Sequence, residues 1–132
     1  MARSVKPKWF KIHPFGVKCY LLTDIDEFNE FVLRNTSDKT FEPIKPEDAQ
    51  GLTSEVPTKK GWLIAMAIAP KHYNDLSVLV HESVHAAIKV MDGCGVPVNE
   101  ENQETIAYLT DFIFQNSQKY YSTISTSVQA AK

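Results

Sequence analysis

A chain of 132 residues, 43% of them apolar, is long enough to bury one sizeable core and too short to divide into two. Its 14 basic and 16 acidic residues leave a net charge of −2, which argues against a general polyanion binder. Its longest apolar run, Trp62 to Ala69, falls far short of the roughly 20 residues that cross a bilayer. The expectation is one domain over residues 1–132 with neither a nucleic-acid nor a membrane partner. Cys19 and Cys94 are too few for a disulfide framework and lack C-x-x-C spacing, so free thiols in a reducing cytoplasm are expected.

Arg3, Lys6, Lys8 and Lys11 precede no secretory apolar core and read as a short solvated arm. Trp9–Ile12 and Lys18–Leu22 flank His13-Pro14-Phe15-Gly16 and predict a β-hairpin. Asp24 with Glu27 predicts a capped helix to about Arg34, with Ile25, Phe28, Phe31 and Val32 on its apolar stripe. From Asn35 to Lys60 the chain is polar and proline-punctuated. Such a stretch is either a functional lid or conceals a short strand near Ala49 to Val56, and the strand is preferred.

Gly61 to Ala69, closed by Pro70, reads as the central buried strand. Asp75 predicts the start of a deeply buried helix from Leu76 to about Asp92, with Gly93 as its left-handed stop. Asn99 predicts the cap of a final helix to about Lys119, followed by a flexible tail over 122–132. The predicted division is a hairpin and helix over 1–60, a metal-site core over 61–121, and that tail. The fold class is α+β, a small antiparallel or mixed sheet packed against two helices that carry the site.

The chemistry centres on His81-Glu82-Ser83-Val84-His85. Histidines four apart lie one turn above each other on a helix, so both imidazoles reach one point, a suitable place for Zn²⁺. Glu82 stands about 100° further round, where a carboxylate can accept the proton of a metal-activated water. Catalytic zinc takes three protein ligands and keeps a fourth position open. The final helix offers Glu104, nineteen residues beyond His85, as the third ligand, with Glu101 or Glu100 as substitutes. Tyr108 could then serve a developing oxyanion, and Asp111 could fix a histidine tautomer. The bland alternative is that both sets are ordinary solvated helix faces. His13 and His72 read as turn or surface histidines, and Cys94 as a thiol in a helix-terminating turn.

Val80 to Ala86 and Glu104 to Leu109 together resemble the glutamate-type zincin metallopeptidases, and more narrowly small zincin-like proteins of tailed bacteriophages and prophages. The similarity spans Trp62 to Phe114. Gln103 precedes the glutamate where the larger peptidases usually carry asparagine, and the chain has no length for their extra cleft-forming domains. The resemblance implies a zincin-like core and a zinc cofactor. It also implies hydrolysis of a peptide or protein substrate, in the cytoplasm of a host cell if phage-encoded. The rival expectation is a phage interaction or host-modulating protein with a structural zinc site. Nothing in the sequence fixes the oligomeric state.

Overall fold

The computed structural model describes residues 7–130, with side chains through Thr126. Arg3 and Lys6 of the expected arm lie outside that range. Lys8–Ile12 forms β1 and Val17–Leu22 forms β2, antiparallel with Trp9 opposite Tyr20. Gly16 closes the turn at φ 75°, a left-handed conformation free of Cβ strain in glycine, and its N–H donates to the Ile12 carbonyl at 2.8 Å. Helix α1, Ile25–Asn35, begins as the sequence predicts. The Asp24 carboxylate accepts from the Glu27 N–H at 2.7 Å, and the Glu27 carboxylate accepts from the Thr23 N–H at 2.9 Å. Orphan donors at the helix start are thereby satisfied.

The polar segment after α1 is anchored by Asn29, whose side-chain amide donates to the Ile44 carbonyl at 2.7 Å and accepts from the Ile44 N–H at 3.0 Å. The concealed strand exists. It is β3, Gly51–Thr58, and it precedes β4, Gly61–Ile68. The strand order is β1-β2-β4-β3, with β4 parallel to β2 and antiparallel to β3, so the sheet is mixed and β3 is an edge.

The Ala69 N–H donates to the Gln50 carbonyl, which sets the phase of the β3–β4 ladder. Residues 52, 54 and 56 bond toward β4, while Gly51, Thr53, Glu55 and Pro57 turn their backbone groups to the open edge. Pro57, with no N–H to offer, occupies such an outward position, and its carbonyl accepts from the Ser37 N–H at 2.8 Å.

Helix α2, Leu76–Gly93, and helix α3, Gln103–Ala130, cover one face of the sheet. There Cys19, Leu21, Ile64, Met66 and Ile68 meet Leu79, Ala86, Val90, Leu109, Ile113 and Tyr121. On the other face Leu22, Val56, Ala65 and Ala67 meet Phe28, Phe31 and Val32 of α1. Strand β4 is therefore apolar on both faces, which is why its sequence shows no alternation. The architecture is α+β in three layers.

Three details depart from the sequence reading. Gly93 is the last residue of α2 rather than its left-handed stop, and Gly95, at φ 74°, takes that conformation. A Cβ on Gly93 would lie 2.5 Å from Cζ2 of Trp62, so the indole explains that glycine. Asn99 caps a single 3-10 turn, Glu100–Asn102, that leads into α3. Finally, α3 does not end near Lys119 but continues to Ala130, and residues 131 and 132 of the expected tail lie outside the described residues. Buried Tyr121 donates to the Leu22 carbonyl at 2.8 Å, and Asn74 donates to the Ser125 hydroxyl at 2.8 Å. Thr123 and Thr126 turn their hydroxyls to carbonyls one turn back, so the polar composition does not cost the helix its hydrogen bonds. Among the described residues no helix is long and apolar enough to cross a membrane.

Candidate metal centre

The buried arc of α2 comprises Val78, Leu79, Glu82, Ser83, Ala86, Ala87, Val90 and Met91. His81 and His85 occupy the opposite, exposed arc, so they play no part in the core. Their rings converge. The two Nε2 atoms stand 3.1 Å apart and the ring centroids 4.7 Å. Two nitrogens each about 2.05 Å from one tetrahedral zinc would be about 3.3 Å apart, so the imidazoles fit two positions around a shared ion. The same separation suits an N–H···N hydrogen bond between neutral rings, with the tautomers deciding which donates.

Glu82 behaves differently from its neighbours. At 5% exposure it is the one buried charged side chain among the described residues, and Oε1 accepts from the Thr53 hydroxyl at 2.6 Å. That length belongs to charge-assisted O–H···O⁻ bonds. Gly51, two residues before Thr53 and on the same strand face, has no Cβ. One built there would lie 3.0 Å from Glu82 Cγ and 3.2 Å from the Ala67 carbonyl. The edge strand thus supplies both the room and the donor for this carboxylate. Beside it opens a cleft of about 630 Å³ lined by residues 48–52 of the β3 approach and by Ser77, Val78, His81 and Glu82 of α2.

Among the described residues no three His, Cys, Asp or Glu side chains come together as a ligand set. Glu104 and Tyr108 line a separate concavity with Pro14, Phe15 and Thr105 at the hairpin turn. The Tyr108 ring stacks on Phe112, with centroids 6.0 Å apart, rather than turning to the histidines. Val80 and Val84 of α2 and Ile106, Ala107, Thr110, Asp111 and Phe114 of α3 line the groove between the two helices, and Glu104 is not among the residues that line it.

Asp111 lines that groove. Its Oδ1 accepts from the Gln115 side-chain amide at 2.9 Å, so the tautomer-fixing bond to a histidine is not formed. Glu100 and Glu101, the substitutes, sit earlier still in the 3-10 turn.

His13 packs edge-on against Phe112, with centroids 5.8 Å apart, and His72 faces Asp75 at 3.5 Å. Neither approaches the imidazole pair as part of a ligand set. Sequence reasoning missed Thr53 and Gly51, because a threonine in a polar stretch carries no sign of what it touches across the fold. The only available clue was the strand itself. No family model matches the chain, and neither a curated protein nor a solved structure does.

Proposed function

We propose that this protein is a zinc-dependent, zincin-like hydrolase of peptide bonds with Glu82 as its general base. The observation that carries the reading is the pairing of two facing imidazole nitrogens, 3.1 Å apart on successive turns, with a buried carboxylate one residue after the first of them. His81 and His85 would hold the ion. Zinc, when bound, supplies Lewis acidity that polarises a carbonyl and lowers the pKa of a coordinated water to about 7.

Glu82 uses Oε2, the oxygen that Thr53 does not hold, to take a proton from the attacking water and return it to the leaving amine. An extended substrate pairs with the open edge of β3, where Gly51, Thr53 and Glu55 present backbone donors and acceptors beside the cleft. The cleft supports this arrangement, since His81 and Glu82 both line it together with Gly51 of the edge strand.

The test is Glu82→Gln assayed against a peptide mixture with zinc content measured in parallel. The expected result is retained zinc and hydrolysis lowered by at least about 100-fold, at the lower end of general-base contributions. Unchanged turnover removes Glu82 from the mechanism. The facing imidazole pair would also serve a second reading, an interaction protein with a structural or vestigial zinc. Chelation separates the two, because a structural site couples metal loss to unfolding or loss of the partner, whereas a stripped enzyme stays folded and inactive.

A further inference from the structure

We propose that Thr53 is a positioning residue for Glu82, and that edge strand β3 is thereby part of the catalytic apparatus as well as a docking edge. The proposal rests on the reading of Glu82 as general base.

A glutamate side chain has three rotatable bonds, and its terminal torsion is broad and only two-fold, so helix position alone does not fix the plane of the carboxylate. Something outside α2 must. Gly51, Thr53 and Glu55 share the strand face that looks toward α2, because side chains alternate along β3. At Gly51 the missing Cβ leaves a notch filled by Glu82 Cγ. At Thr53 the hydroxyl meets Glu82 Oε1 at 2.6 Å and stands 3.3 Å from the Glu82 backbone carbonyl. A β-branched side chain in a strand is stiff at χ1, so this donor is held by the sheet itself. The notch fixes the methylene stem and the hydroxyl fixes one oxygen, which leaves Oε2 with a defined direction.

Thr53 has a second property. Its own N–H and C=O point to the open edge, so the residue that orients the carboxylate also belongs to the backbone that an extended chain would pair with. Docking of a strand at this position stiffens the donor at the moment the general base is needed. Simple satisfaction of a buried carboxylate would account for the hydrogen bond but for no effect on turnover beyond that on folding. The two accounts differ in what they predict for kcat.

The experiment compares the full chain with Thr53→Val, Thr53→Ala and Thr53→Ser, each zinc-loaded, with fluorescein-labelled casein as substrate. In parallel, the two γ-methylene protons of Glu82 are followed by NMR in the metal-free proteins. The expected result is a kcat lowered about 10–100-fold in Thr53→Val and Thr53→Ala, with KM within about threefold and near-parental activity in Thr53→Ser. The Glu82 γ protons are expected to be distinct in the parent and in Thr53→Ser and to merge in the other two. Thr53→Ala covers the case in which the valine does not fold.

Turnover unchanged by loss of the hydroxyl, or merged γ protons in the parent, overturns the positioning role alone. No turnover by the unaltered zinc-loaded chain overturns the general-base reading and the proposal with it.

Discussion

Replacing Glu104 by glutamine removes a carboxylate charge while keeping the length of the side chain, and Asp111→Asn does the same two turns further along α3. The placement of the two carboxylates makes the substitutions unequal. Asp111 shares with Val80 and Val84 the groove between the helices, whereas Glu104 lines the separate concavity at the hairpin turn. A carboxylate oxygen must come within about 2.2 Å of zinc to bind it. Asp111 would do so, or support a liganding imidazole, by releasing Gln115 and rotating. Glu104 would have to leave the concavity it shares with Pro14, Phe15 and Tyr108.

Competition with a chromophoric chelator should therefore show zinc affinity lowered about 10–100-fold in Asp111→Asn, the usual cost of losing a group that ligates or orients a ligand. Glu104→Gln should stay within about threefold of the parent. His85→Ala sets the scale for loss of a true ligand. A Glu104→Gln loss as large as that of His85→Ala would refute this placement and support the sequence-based assignment.

Three further outcomes follow from the fold. Tyr121→Phe removes a fully buried hydroxyl that donates to the Leu22 carbonyl at 2.8 Å, and should lower unfolding free energy by about 1–2 kcal/mol in a urea titration while leaving zinc affinity unchanged. Asp75, the cap of α2, is held below its ordinary carboxyl value chiefly by the Ser77 hydroxyl. With the folded value lower than the unfolded one, its stabilisation is present above about pH 4 and is lost as pH falls through the folded value. Asp75→Asn should accordingly show a shallower loss of stability below pH 4. Cys94 is exposed, but partial burial and Glu55 raise its thiol, so a disulfide reagent at neutral pH should label it slowly, whereas Cys19, buried and raised far more, should react only on unfolding.

Local chemistry was legible in the sequence where one residue sufficed to express it. Asp24 and Asp75 announce helix starts because a capping carboxylate acts within three residues. The histidine pair is legible because helical pitch alone sets its spacing. Gly93 was misread because its reason is the Trp62 ring, a neighbour supplied by tertiary structure. The continuation of α3 past Lys119 was not legible because the hydroxyls there look like loop chemistry, while Tyr121 and Ser125 anchor the helix to the core. The place of Glu104 relative to the histidines is not legible either, because a spacing of nineteen residues between His85 and Glu104 gives separation along the chain but not along the helix axes, where the end of α2 and the connector decide where α3 begins.

The segment from Asn35 to Lys60 shows the same limit from the functional side. Read as sequence, it is polar and broken by prolines, and the lid reading would make it a mobile cover over the metal. In the fold, Asn29 fastens it at Ile44, Ser37 fastens the far end of β3 at Pro57, and the Gln50 carbonyl begins the ladder to β4. What looks like linker is thus the device that delivers Gly51 and Thr53 to Glu82. Its polar composition follows from that task, because an edge strand that bonds a carboxylate on one face and exposes its backbone on one side cannot be built from alternating apolar residues. A lid would be expected to tolerate insertion. A strand whose phase decides which residue faces Glu82 cannot, since a single added residue before Thr53 would turn its hydroxyl to the opposite face of the sheet.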